Sequence, residues 1–404
     1  MTNKINSIHI SNYRSCLDTD FRMKDSLTVL IGLNGAGKTN ILSAISKLKE
    51  VETVSDNNPK ITQPDESSTT NPQTIISMNA TVDGVDVDIR AIFTLEFDEH
   101  REKIEYSQLF YKFPSQRNWK VIEKEYFDYG RAFYSKQGLN LKATAGLNRS
   151  TAFRGISTNF SLKYNIIKFL DEISYFSATR FSDPTQCPAS LELKNGQPRN
   201  TSRSIHVSLL NDMHSASKDV SAFNRYKEIV GPRGLSLVDD IEFEEIEIAD
   251  IETKVFINGQ VQNRKNKRTL VIPTVTLDGI KLPFGQLSEG TFKSLALVFY
   301  LITSSKQILL IEEPEVGIHH GLLASLMEIM QAESSTKQII VSTHSDYVLD
   351  TIKLTNLVIV TRDGQLGTKA QPIDKAMQKI DYNYLKSYLR ESGTLGEYWR
   401  ITGF

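Results

Sequence analysis

Three short, largely apolar runs mark this chain, at residues 27–31, 308–311 and 339–341. Runs of this kind are typical of strands that are buried on both faces, as in a parallel sheet. Apolar residues with helical spacing lie between them, notably over residues 160–172 and 205–230. The pattern therefore predicts an α/β fold.

Residues 75–125 show a second pattern, in which apolar and polar positions largely alternate. This period of two predicts an antiparallel sheet, with turns at Asp83-Gly84 and Pro114-Ser115. Shorter segments of strand character are residues 4–10, 18–23, 173–177, 241–248, 254–257 and 356–361, and a helical tail is predicted over 376–387.

Three polar segments separate these elements. Residues 52–74 and 184–202 are predicted to be loops, whereas 129–157 has no pattern that assigns a structure. Residues 264–268 form a basic stretch that we interpret as a turn. A solvated hairpin loop is the favoured explanation for this turn, and a contact with nucleic-acid phosphates is the alternative.

The run at 27–31 leads into Gly32, four residues, and then Gly37-Lys38-Thr39. This spacing is that of a phosphate-binding loop, in which glycines let backbone N–H groups turn toward phosphates. Lys38 supplies positive charge, Thr39 offers a hydroxyl to Mg²⁺, and a helix is predicted from residue 40 to about 49. The predicted nucleotide-binding residues here are Asn34, Gly35, Gly37, Lys38, Thr39 and Asn40.

The last third of the chain contains one further segment suited to bind an anion and one acidic segment. Ser288-Glu-Gly290 precedes an apolar helix, which places the Ser288 hydroxyl and backbone amides at a helix N-terminus. The run at 308–311 ends in Glu312 and Glu313, where ligands of open α/β sheets bind. Glu312 is predicted to hold Mg²⁺ through water, and Glu313 to polarise the attacking water.

The run at 339–341 ends in Ser-Thr-His344. A lone histidine at such a position is more often structural. After a phosphate loop and an acid pair in this order, however, His344 is suited to donate a hydrogen bond to a γ-phosphate.

Composition narrows the functional classes. Lys and Arg total 47 against 48 Asp and Glu, so the net charge of -1 gives no overall sign of nucleic-acid binding. Cys16 and Cys187 have no metal or redox spacing, and no apolar run is long enough to span a bilayer. We expect a cytoplasmic protein without a membrane segment.

Four segments, taken in order along the chain, resemble the Walker A, signature, Walker B and H-loop of an ABC-type ATPase head. They are the loop at Lys38, Leu287-Ser-Glu-Gly290, Glu312-Glu313-Pro-Glu315 and Thr343-His-Ser345. The details are similar to the OLD-like branch of AAA-annotated ATPases, related to RecF and SMC heads. Residues 10–15 and 317–319 also match that branch.

Two positions depart from the pattern. Glu312 stands where Walker B usually has aspartate, and Glu289 where transporters have glycine in the signature. The Q-loop glutamine is not located, and Gln108 and Gln116 are both candidates.

The resemblance implies a P-loop ABC-type ATPase head with an N-terminal antiparallel β subdomain, a mixed central sheet and an inserted helical and β subdomain. The corresponding division is 1–180, 181–280 and 281–404. It implies ATP and Mg²⁺ as cofactors and a head-to-head homodimer, in which Ser288 and Gly290 contact the nucleotide held by the other copy. Arg14 is either a further nucleotide contact or an ordinary surface arginine.

The long insertion between Lys38 and Ser288 weighs against a transporter subunit. The absence of a long coiled-coil pattern weighs against a true SMC protein. We expect an oligomeric ATPase that controls a separate effector, such as a nuclease, in anti-phage defence of the PARIS or a related type, with DNA or a phage protein as trigger. The alternatives are a RecF-like repair ATPase that binds DNA when ATP is bound and, less favoured, a regulatory ATPase acting on a small molecule or RNA.

Overall fold

The computed structural model describes residues 3–51, 73–98, 101–123, 158–194, 197–198, 204–257, 260–391 and 393–403. The chain forms two compact units. The first unit comprises Met1–Phe176, Lys306–Glu312 and Ser334–Phe404, and the second comprises Ser177–Ser305 and Glu313–Glu333. The three-part division at 1–180, 181–280 and 281–404 stays a prediction.

The first unit contains a mixed sheet of six strands in the order β17-β16-β3-β15-β14-β8. Strands β16, β3, β15 and β14 are parallel, and β17 is antiparallel to β16. The strands are β3 (Leu27–Ile31), β8 (Ile173–Ser177), β14 (Ile308–Glu312), β15 (Gln338–Thr343), β16 (Leu357–Asp363) and β17 (Gly367–Pro372). Every residue of β3 and β15 is buried, as their apolar runs predict.

The other sheet of this unit is antiparallel, in the order β2-β1-β4-β5-β6-β7. The strands are β1 (Lys4–Tyr13), β2 (Cys16–Arg22), β4 (Thr74–Val82), β5 (Val85–Asp98), β6 (Arg101–Lys112) and β7 (Lys120–Val121). Asp83 and Gly84 both have positive φ, 48° and 79°, as a two-residue hairpin turn requires. The predicted antiparallel sheet is confirmed.

One apolar core joins the two sheets and two helices, α1 (Lys38–Lys47) and α2 (Thr158–Asp171). A buried amide also links the sheets. The Gln338 side chain accepts from the Ile5 backbone N–H and donates to the Ile5 carbonyl, both at 2.8 Å. Because both groups of Ile5 are buried, this pairing fixes where β1 lies against β15.

The second unit is built on a five-stranded sheet, β10-β9-β12-β11 with β13 beside β12. Its elements are α3 (Ile205–Ala216), α4 (Val220–Val230), α5 (Glu289–Thr303) and α6 (His320–Glu333), with β9 (Leu191–Lys194), β10 (Gln197–Pro198), β11 (Asp240–Ile257), β12 (Gln260–Leu277) and β13 (Ile280–Pro283). The first unit ends in short helices, α7 (Asp346–Asp350), α8 (Ile373–Ala376), α9 (Lys379–Arg390) and α10 (Leu395–Thr402). An α/β head with an antiparallel subdomain, a mixed sheet and a helical and β insertion is confirmed.

Two local predictions are wrong. The basic stretch 264–268 lies within β12 and is not a turn, because its backbone pairs with β11. The predicted loop 184–202 contains β9, whose residues pair with β12 at Leu191↔Val271 through Lys194↔Arg268. In both cases a neighbouring strand supplies hydrogen bonds that outweigh weak local propensity. The predicted loop 52–74 falls largely, and the unassigned segment 129–157 entirely, outside the described residues.

Within the described part of the chain, no helix is both long and apolar enough to cross a membrane.

Candidate functional site

The phosphate loop connects the end of β3 to the start of α1. Gly35 and Gly37 have φ of 80° and 105°, a region that side chains disfavour. A Cβ on Gly32 would lie 2.0 Å from the carbonyl oxygen of Val360 on β16, so the neighbouring strand requires glycine there. The loop's shape thus follows from its own glycines and from the strand beside it.

Lys38 is the first residue of α1 and is only 5% exposed. Its Nζ donates to the carbonyls of Gly32 at 2.7 Å and Leu33 at 3.2 Å. The ammonium therefore lies within the curl of the loop, where it can exchange carbonyl oxygens for phosphate oxygens. Thr39 and Asn34 are exposed on the same segment.

A buried threonine from the far end of the chain supports this loop, and sequence reasoning missed it. Thr368 on β17 is fully buried, and its hydroxyl donates to the Ala36 carbonyl at 2.9 Å. It also lies 2.8 Å from the Ser15 hydroxyl, which accepts from the Asn40 amide at 2.7 Å. A Cβ on Gly37 would meet the Thr368 hydroxyl at 2.0 Å. Thr368 thus packs directly under the turn into α1.

Arg14 occupies the two-residue turn between β1 and β2, with φ of 50°. Its Nε donates to Glu102 at 2.8 Å, and its Nη1 to the Asn40 side-chain oxygen at 3.3 Å. Partial burial acts to raise the pKa of Glu102, but the hydrogen bond and charge of Arg14 outweigh it and lower the pKa. Arg14 therefore lies beside the start of α1, tied to a carboxylate that stays ionised.

Parallel register brings the acid at the end of β14 to the same sheet edge. Glu312 pairs with Ser342 of β15, which pairs in turn with Leu30 of β3. Neighbouring strands are about 4.8 Å apart, so Glu312 and the start of the phosphate loop are roughly 10 Å apart across β15. His344 directly follows β15 at this edge and is exposed.

Tyr175 on β8 donates its hydroxyl to Oε2 of Glu312. This contact, also missed from the sequence, orients the carboxylate. The oxygens of Thr39 and Glu312 are the ligand type that Mg²⁺ takes when phosphates and water supply the remainder. Among the described residues, no group of three His, Cys, Asp or Glu residues is placed to hold a metal ion. The donor set therefore fits a Mg-nucleotide.

Glu313 begins a tight turn in the second unit and has φ of 45°. The Val316 N–H donates to the Glu313 carbonyl, and the Ile318 N–H to the Glu315 carbonyl, each at 3.1 Å. Such a backbone conformation is costly for glutamate and often marks functional positions.

The signature residues lie in the same second unit. Ser288 caps α5 by accepting from the Thr291 N–H at 3.2 Å, and both Ser288 and Glu289 are exposed. A cavity of about 690 Å³ opens here, between Ser288-Gly290, residues 317–325 and residues 234–237. A Cβ on Gly290 would lie 2.6 Å from the Gly317 carbonyl oxygen, so close approach of the acidic turn requires glycine.

The predicted site residues thus form two groups. The phosphate loop, Arg14, Glu312 and His344 belong to the first unit, whereas Glu313, Ser288 and Gly290 belong to the second.

The two candidate glutamines for a Q-loop lie in different kinds of structure. Gln108 lies within β6, and Gln116 lies in the turn that follows β6.

Three solved structures are similar to this chain at low sequence identity. They are an SmcHead bound to the C-winged helix domain of ScpA (13% identity, TM-score 0.46), the SMC head domain from Thermotoga maritima (12%, 0.44), and an Smc head domain with an extended coiled coil bound to the C-terminal domain of ScpA derived from Pyrococcus furiosus (12%, 0.46). The matches cover 92%, 92% and 95% of this chain and 99%, 99% and 100% of those chains.

No functionally curated protein matches the chain. A family model described as "AAA domain, putative AbiEii toxin, Type IV TA system" matches residues 27–350. This span begins at the strand before the phosphate loop and ends just after His344, so it includes both groups of site residues except Arg14. The chain therefore belongs to this family of AAA-type ATPase domains.

Proposed function

We propose that this AAA-family protein binds Mg-ATP at the phosphate loop and hydrolyses it between two copies of the chain. The observation that carries the proposal is the shared sheet edge, where three adjacent parallel strands end: the loop with Lys38 follows β3, Glu312 ends β14, and His344 follows β15. Ligands of open α/β sheets bind at this edge. The family match supports a nucleotide as that ligand.

Each residue has a distinct part in the proposed reaction. Backbone N–H groups of residues 34–39, including Gly35 and Gly37, and the α1 dipole bind the phosphates, while Lys38 neutralises their charge. Thr39 and Glu312 would hold Mg²⁺, which stabilises charge on the phosphate oxygens. Asn40, in the first turn of α1, and Arg14, which donates to its side-chain oxygen, complete the binding surface.

The chemical step is assigned to two further residues. Glu313 accepts a proton from the attacking water, and His344 donates a hydrogen bond to the transferred phosphoryl group. Ser288 and Gly290 at the N-terminus of α5 contact the triphosphate held by the other copy. Both line a cavity of the second unit, and Ser288 is exposed, which supports a role toward a partner molecule.

We further propose that the ATP state controls a separate effector, such as a nuclease, in anti-phage defence of the PARIS or a related type, with DNA or a phage protein as trigger. The family description, which names a toxin of a type IV TA system, supports a setting of this kind. An ATPase whose copies close on ATP offers a two-state element that a trigger can bias.

Substitution at Glu313 and Lys38 separates binding from hydrolysis. Glu313→Gln should bind ATP normally, lose about 10²- to 10⁴-fold in hydrolysis rate and accumulate as an ATP-bound dimer, because only the base is removed. Lys38→Ala should bind ATP roughly ten- to a hundredfold more weakly, since a charge-assisted contact is lost. Equilibrium binding, phosphate release and light scattering measure the three quantities. Normal hydrolysis by Glu313→Gln would exclude it as the base.

The support under the phosphate loop gives a second prediction. Thr368→Val keeps the side-chain shape but removes the hydroxyl, so ATP binding should weaken roughly three- to tenfold. Thr368→Ser should retain binding close to that of the unaltered chain. Thr361→Val, on the exposed end of β16, is the matched control. Equal affinity in the Val and Ser variants would show that the hydroxyl does not shape the loop.

The effector proposal is tested by comparing baits in different nucleotide states. Tagged Glu313→Gln should retain an effector from native cells that Lys38→Ala does not, because only the former populates the closed state. Identical partners on both baits would contradict nucleotide control. Growth arrest by the chain alone would instead make it the toxin, and ATP-dependent binding to DNA junctions would favour a RecF-like repair role.

A further inference from the structure

Lys293 is a buried lysine on the signature helix α5 to which the reaction described above gives no part. Its side chain is only 1% exposed. A charge is rarely buried to this extent unless it is paired, because removing an ammonium from water is costly. Its partners therefore indicate why it is there.

Two groups bind the Lys293 ammonium. Glu289, in the signature segment one helical turn before, forms an ion pair with Nζ at 2.6 Å. The carbonyl of Val316, in the turn that begins at Glu313, accepts from Nζ at 3.2 Å. One ammonium thus joins the exposed start of the signature helix to the turn that carries the proposed base.

Beside this connection, the backbone of the turn also approaches α5 closely. A Cβ built on Gly317 would lie 3.1 Å from the Lys293 Nζ, and one on Gly290 would lie 2.6 Å from the Gly317 carbonyl. The turn therefore lies directly against α5. This packing also accounts for Glu289, the signature residue that departs from the transporter pattern, because it supplies the negative charge that a buried lysine needs.

We propose that Lys293 is a positioning residue for ATP hydrolysis, which holds the Glu313 turn against the signature helix. The inference rests on the proposed function. Glu313 has a backbone conformation that must be stabilised by its surroundings, with φ of 45°. When the signature segment engages the nucleotide of a second copy, the Glu289–Lys293–Val316 connection orients the Glu313 turn of the same chain. Lys293 itself is not assigned a contact with the nucleotide.

The test compares the effect of substitutions on kcat with their effect on the Kd for ATP. Lys293→Met retains the aliphatic stem and removes the ammonium, and kcat should fall roughly ten- to a hundredfold, the scale expected when a catalytic group is slightly misplaced. The Kd for ATP should stay within about twofold, because the phosphate loop is unaltered. Lys293→Arg should recover most of kcat. The matched control is Lys227→Met, which removes another ion-paired helix lysine of the second unit and should leave kcat unchanged.

Two additional measurements keep the inference independent of folding and of the proposed function. Glu289→Gln changes a half-exposed side chain and should lower kcat in the same direction as Lys293→Met. Hydrogen exchange of the Val316 and Ile318 amides, both hydrogen-bonded within the turn, should accelerate in Lys293→Met whether or not ATP is hydrolysed.

Unchanged exchange in the turn, or unchanged kcat in both Lys293→Met and Glu289→Gln, would overturn the positioning role. If the unaltered chain hydrolyses ATP and Glu313→Gln does not, these outcomes would reject the role of Lys293 alone. Failure of the unaltered chain to hydrolyse ATP would instead reject the proposed function, and the exchange measurement would still decide whether Lys293 holds the turn.

Discussion

The parallel register of β3, β15 and β14 is the constraint on which the candidate site depends. The carboxyl ends of these strands carry the candidate nucleotide-binding residues of the first unit: the phosphate loop follows β3, His344 follows β15, and Glu312 ends β14. Because parallel strands present the same end at one edge, the phosphate loop, Glu312 and His344 are at the same edge of the sheet, as the proposed nucleotide site requires. A shift of one strand by one residue would turn its side chains to the opposite face of the sheet.

Polar side chains that are not among the predicted site residues stabilise the local structure of each unit. Thr368 supports the turn into α1, Tyr175 orients Glu312, and Gln338 fixes the antiparallel sheet to the mixed sheet. In the second unit, Lys293 connects the signature helix to the turn of Glu313. Each is a polar group in a largely apolar setting, where a satisfied hydrogen bond is specific and an unsatisfied one is costly.

Sequence analysis predicted the parts of the site that are encoded locally. The phosphate loop, the acid pair and the capped helix at Ser288 are short motifs, each placed by an adjacent apolar run or helix. Thr368 could not be predicted, because its contact with Ser15 spans 353 residues and nothing in its own segment indicates it. Likewise, Tyr175 reaches Glu312 across 137 residues.

The two wrong elements have the same cause. Residues 264–268 are basic and residues 191–194 lie in a polar segment, so local composition favours turns and loops. In the fold, however, both segments pair with neighbouring strands of the five-stranded sheet. Strand formation depends on partners that are distant in sequence, which local patterns do not describe.

Mixing two inactive variants tests most directly whether each ATP site is formed by residues from two copies of the chain. Lys38→Ala impairs the phosphate loop, and Ser288→Arg places a long side chain where the signature is proposed to contact the triphosphate of the other copy. Each variant alone should be inactive. An equimolar mixture should recover roughly a quarter of the normal ATPase rate, because about half of the dimers are mixed and each mixed dimer has one intact site. A mixture as inactive as its components, from variants shown to form mixed dimers, would contradict the account.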